Sequence, residues 1–112
     1  MGSNDISKQS GWKQLGPNAI SCPGVDYLDL FEVAAMTTNF ERVGHDDFWT
    51  SIYQPLVMLK SGVVLKLQSH CDEEGKAAAE RDVAILIEAI AVRSDAVRLG
   101  NVIEKARLST TT

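Results

Sequence analysis

Two apolar runs, Leu56-Val57-Met58-Leu59 and Val63-Val64-Leu65-Lys66-Leu67, flank the tripeptide Lys60-Ser61-Gly62. Glycine accepts the positive φ that a tight chain reversal requires, so the segment predicts a β-hairpin with Ser61 and Gly62 in its turn. Its strands are apolar on both faces in places. At least one face of the sheet they belong to must therefore lie under helices.

Those helices are expected immediately downstream. Ser69 or Asp72 can cap a helix that starts near Cys71 or Asp72, and Asp72-Glu73-Glu74 suits the positive end of its dipole. The helix should run to about Arg93. From Val83 to Val92 only Glu88 is charged, so nearly the whole circumference there is apolar. Val83, Leu86, Ile87 and Ile90 can pack on the sheet, which leaves Ile85, Ala89 and Val92 in need of a second cover. Two covers are available. One is an amphipathic helix from Ser94 to Leu108, with Leu99, Val102, Ile103 and Ala106 on its apolar side; the other is a second copy of the chain. Gly100 weakens the terminal helix by roughly 1 kcal/mol relative to alanine, which favours the second copy.

Upstream, Phe48 to Tyr53 reads as a strand, and Pro55 limits its hydrogen bonding in a way tolerable at an edge or bulge. Val43-Gly44-His45-Asp46-Asp47 reads as a polar loop. In the stretch Val25 to Thr38 periodicity slightly favours a helix, but Thr37-Thr38 together with the later hairpin favours a strand. Gly16-Pro17-Asn18 and Pro23-Gly24 punctuate Trp12 to Cys22 into two brief strands joined by a turn. Residues 1–11 lack the apolar content to repay ordering, and residues 109–112 are expected to fray, so one domain spans 12–108.

Strands that precede helices, rather than alternate with them, indicate an α+β domain: an antiparallel sheet of about four to six strands packed against one or two C-terminal helices. The hairpin Val57 to Leu67 with Gly62 at its turn, followed by a long helix, resembles small bacterial pleckstrin-homology-like domains over about half the chain, in element order alone. The resemblance implies a pleckstrin-homology-like barrel or sheet as one variant and raises the expectation of a binding or assembly role. It transfers no site residues.

The chain has 112 residues, 45% of them hydrophobic and 23% charged, and a net charge of −4. A chain of this length buries roughly 65% of its unfolded surface around a single core. Fifteen acidic residues against 11 basic ones argue against a phosphate-binding face, so neither nucleic acid nor an anionic membrane is an expected partner. No apolar run approaches the 18 or so residues of a membrane span. The two cysteines, Cys22 and Cys71, are too few for a disulfide scaffold and read as reduced thiols in a cytoplasmic protein.

No phosphate loop, dinucleotide fingerprint, nucleophile elbow, zinc-protease motif or Cys-x-x-Cys is present. Two polar clusters hold both histidines: His45-Asp46-Asp47 and His70-Cys71-Asp72-Glu73-Glu74. Brought together, they would offer imidazole and carboxylate groups to a ligand, to a divalent metal, or to acid–base chemistry. An acidic loop and a helix cap account for the same residues, and no complete metal-ligand set or cofactor motif is visible. Cys71 at a helix start is a candidate nucleophile, opposed by the acids that follow it. The aromatic residues are expected mainly in the core, with Phe48-Trp49 the exception, because neighbours on a strand point to opposite faces. Candidate ligand-binding residues are thus His45, Asp46, Asp47, Trp49 and His70. The chain is expected to be a non-enzymatic binding or assembly module that self-associates, as a homodimer or with another protein, through its C-terminal helical region. The alternative is a small enzyme or metal-dependent binder of a small molecule that uses His45, Asp46, Asp47 and His70.

Overall fold

The computed structural model describes residues 11–110. In chain order they form β1 (Lys13–Gln14), β2 (Ala19–Cys22), β3 (Val25–Asp29), β4 (Val33–His45), β5 (Phe48–Leu59), β6 (Val64–Lys66), β7 (His70–Cys71), α1 (Asp72–Ala91) and α2 (Ala96–Thr110). Strands precede helices, as an α+β domain requires. They make two antiparallel sheets where one was expected: β1-β2-β3, and β4-β5-β6 with β7 also beside β5.

The break between the sheets lies inside the segment expected to be one strand. Asp29 ends β3, and its Oδ1 accepts the N–H of Phe31 at 2.9 Å, which winds Leu30–Glu32 into a 3-10 turn. A short acidic side chain competing for local backbone donors is a common way to interrupt a strand. Leu30 is buried within that turn, so the interruption is held by the core.

The decisive hairpin forms as read. Leu59 N–H donates to Val63 O at 2.8 Å, Gly62 N–H donates to Leu59 O at 2.9 Å, and Gly62 sits at φ 95°. Leu56, Val57 and Met58 pair with Lys66, Leu65 and Val64. Pro55, expected to limit this strand, lies in the middle of it. Its carbonyl accepts from Leu67 N–H at 3.0 Å, on the side where β6 has ended and β7 has not begun. A residue's N–H and C=O point the same way across an antiparallel ladder, so the missing proline N–H faces that gap and costs no bond. Gln54 Nε2 spans the same gap, donating to Leu67 O at 2.8 Å.

Helix α1 has Cys71 at its N-cap with no side-chain cap bond, so neither Ser69 nor Asp72 plays the capping role expected of it. Helix α2 starts at Ala96, after Asp95 rather than Ser94, and Asp95 Oδ1 accepts the N–H of Arg98 at 3.2 Å. It continues through the stretch expected to fray, with Ser109 Oγ donating to Ala106 O at 3.0 Å. The remaining end expectations, on residues 1–10 and 111–112, lie outside the described residues.

One apolar cluster joins both sheets to both helices, with Trp12 from just before β1, Ile20 and Leu28 from the small sheet, Val57 from β5, Leu86 and Ala89 from α1, and Leu99 and Ile103 from α2. Ile85, which needed separate cover, belongs to the same cluster, so α2 supplies the lid. Ile87, expected on the sheet, is instead 54% exposed. Among the described residues no helix is long and apolar enough to cross a membrane.

Candidate functional site

Strands β4 and β5 pair without a break from Ala35 opposite Met58 to His45 opposite Phe48. On the far side of β5, β6 and β7 reach only from Met58 to Ile52. Beyond Ile52 the sheet narrows to two strands, and every residue from Asn39 to Trp49 is exposed. The hairpin therefore leaves the body as an arm.

Pairing and alternation assign the arm's faces. Phe40 and Arg42 share the face of Tyr53, Trp49 and the buried Val57; Val43 and His45 share the other with Phe48 and Ile52. On the first face the rings of Phe40 and Tyr53 lie 5.1 Å apart, and the Arg42 guanidinium lies 5.7 Å from the centre of the Trp49 ring. At the tip, Trp49 Nε1 donates to Asp46 O at 2.9 Å, tying the ring to the turn. Asp46 adopts φ 58°, a left-handed conformation that aspartate tolerates better than most residues. The polar loop expected over Val43–Asp47 is therefore only the pair Asp46-Asp47, and Val43 to His45 are strand.

Four of the candidate residues, His45, Asp46, Asp47 and Trp49, cluster at this tip. His45 Nε2 lies 3.3 Å from Asp46 Oδ2, with both side chains in solvent, where such a pair is screened and weak. His70 is elsewhere. It pairs with Tyr53, five residues from Phe48 along β5, which separates it from the tip by about 17 Å at the usual strand rise. The structure does not bring the two histidine clusters together. Among the described residues no three His, Cys, Asp or Glu side chains are grouped to hold one metal ion.

His70 has a different partner. Its Nε2–H donates to Asp82 Oδ2 at 2.9 Å, joining β7 to the middle of α1. Burial pushes the Asp82 carboxyl above its ordinary range, while the hydrogen bond and charge of His70 and the charge of Arg81 pull the other way. Cys22 is buried too. Desolvation first and the nearby Asp82 charge second push its thiol up to about 12, so it is a protonated core residue. Cys71 is exposed, and both thiols are free.

The expectation that most aromatic residues lie in the core is overturned: of the seven, Trp12 alone is buried, at 1% exposed. Phe48 is 83% exposed, Phe40 55% and Trp49 54%, so both members of the Phe48-Trp49 pair face solvent. Sequence reading missed Phe40, Arg42 and Tyr53 as parts of one surface, since nothing short of the β4–β5 register aligns them. It also missed Asp82. The signal was present there, because Asp82 falls at helical spacing with Gly75, Ala79, Leu86 and Ala89, all buried.

No protein-family model, no curated protein and no solved structure matches the chain.

Proposed function

We propose that this protein is a non-catalytic assembly module that self-associates, with the β4–β5 arm as its contact surface. The observation that carries this reading is the exposure of Phe40, Phe48 and Trp49 on a two-stranded ribbon. An isolated pair of strands is marginal in water, and burial of its aromatic side chains by a partner would stabilise it. Aromatic residues and arginine are the types that dominate binding energy at interfaces, and Arg42 stands among them here. The helical surface named from the sequence exposes the aliphatic side chains of Ile87, Val97 and Leu108 and carries no aromatic residue.

Size-exclusion chromatography with light scattering on the intact chain tests the proposal. A dimer or larger species whose population grows with concentration is expected. A strictly monomeric chain up to high micromolar concentration would overturn it.

A further inference from the structure

We infer that two copies join through the outer edge of β4, pairing antiparallel about a twofold axis at Phe40. The inference rests on the self-association reading above and names its surface. Among the described residues β4 pairs only with β5, so one side of a 13-residue strand is open. Along that side, alternate residues present backbone N–H and C=O groups without a ladder partner. Edge strands usually avoid self-pairing by being short or by carrying charged side chains, proline or a bulge. β4 has no proline, its two charges, Glu41 and Arg42, are adjacent and of opposite sign, and its one irregularity lies at its base, between Val33 and Ala35.

Symmetry and charge then select the register. A twofold axis perpendicular to the sheet makes one residue face its own copy, and the residues flanking it pair at equal distances on either side. Centring on Glu41 or Arg42 would set that charge directly against itself, which is unfavourable. An axis at Asn39 would run the pairing into the irregularity at the base, and one at Val43 would leave only Glu41 to His45 paired. With Phe40 at the centre, Ala35 through His45 all pair, which is the whole strand beyond the bulge. Glu41 then faces the partner's Asn39, Arg42 faces the partner's Thr38, and Val43 faces the partner's Thr37. The two Phe40 rings meet at the axis, each backed by its own Tyr53 at 5.1 Å. The larger sheets of both protomers become one continuous sheet.

Cross-linking and a charge variant test this together. Residues directly opposite in an antiparallel pair bring their Cβ atoms to about 4.5–5.5 Å, close to disulfide range. In a Cys71→Ser background, Phe40→Cys should therefore give a disulfide-linked dimer on mild oxidation, read on a non-reducing gel, while Arg42→Cys should not. Phe40→Glu, at an exposed position, should make the intact chain monomeric by light scattering and leave its circular dichroism spectrum unchanged. A dimer that survives Phe40→Glu, with no Phe40→Cys cross-link, overturns the edge pairing and leaves self-association standing; loss of that dimer in Ile87→Glu would move the contact to the helices. A strictly monomeric unsubstituted chain overturns both.

Discussion

The carboxylate of Asp82, on a side chain only 4% exposed and facing inward from the middle of α1, lies 2.9 Å from Nε2 of His70 on β7. A buried acid hydrogen-bonded to a histidine pins helix to strand and also carries a desolvation cost. Because burial raises the Asp82 pKa above its ordinary 3.8, the folded chain holds that proton more tightly than the unfolded chain does. The stability linked to Asp82 is thus fully present below that ordinary value and is lost as pH rises through the folded value. Asp82→Asn keeps an acceptor for His70 and removes the titration. Its stability relative to the unsubstituted protein should therefore rise between pH 3.5 and pH 7 in paired denaturant titrations. A difference that stays flat or falls over that range would contradict the burial argument.

Gly75 carries the close approach of α1 to the same strand. A Cβ there would lie 2.6 Å from the carbonyl carbon of His70 and 3.0 Å from its oxygen, both backbone atoms that cannot rotate away. Two effects compete in Gly75→Ala. Alanine is the better helix former by about 1 kcal/mol, whereas forcing atoms into a packed contact costs about 1–3 kcal/mol. With rigid backbone on the receiving side the clash should win. A lower denaturation midpoint is expected, and a higher one would show that β7 can move away freely.

The two thiols should differ in reactivity by orders of magnitude. Cys71 is exposed, whereas Cys22 is buried with its pKa pushed up to about 12. At pH 8 the Cys22 thiolate fraction is then on the order of 10⁻⁴, and the thiolate is the reactive form. A chromogenic disulfide reagent should titrate one thiol rapidly in the native chain and the second only after denaturant is added. Cys71→Ser should abolish the rapid phase. A fast phase that persists in that variant would place Cys22 at the surface.

The parts of the fold legible in the sequence are those with local causes. Gly62 between two apolar runs specified the hairpin turn, and the apolar stretch from Val83 to Val92 marked α1 as covered on more than one side, although Ile87, assigned to the sheet with Val83, Leu86 and Ile90, is exposed. The 3-10 turn at Leu30 was hidden because Val25 to Thr38 satisfies both periodicities, and a single hydrogen bond from Phe31 to Asp29 decides the outcome. The arm was hidden for another reason. Alternation in 33–45 and 48–59 looks like that of any strand, and only the length of the neighbours β6 and β7 determines where cover stops. His45, Asp46, Asp47 and Trp49 could be read as a polar cluster beside an exposed aromatic, but the distance from them to His70 is a property of register alone.

Helix α1 is apolar over nearly its whole circumference from Val83 to Val92. Its apolar circumference left two options, a terminal helix or a second copy, and the weak helix former Gly100 favoured the copy. The cluster resolves how Ile85 is enclosed: it lies with Ile103 and Ala106, while Leu99, also from α2, is fully buried. At Gly100 a Cβ would meet only the far end of the flexible Gln14 side chain, Oε1 at 2.9 Å, and Gln14 Nε2 donates to Ala96 O at 2.9 Å. Helix α2 is thus held by the small sheet as well as by α1. Leu99→Ala should destabilise the fold by about 2–5 kcal/mol, the range for removing a buried leucine side chain. Ile85→Glu should unfold or aggregate the chain, because it places an unpaired charge in the core. Ile87→Glu, one turn face away and exposed, should leave the melting temperature within a few degrees of the unsubstituted protein. If Ile85→Glu instead gave a folded monomer from a dimer, α2 would not be the lid, and the helical region would be the subunit interface after all.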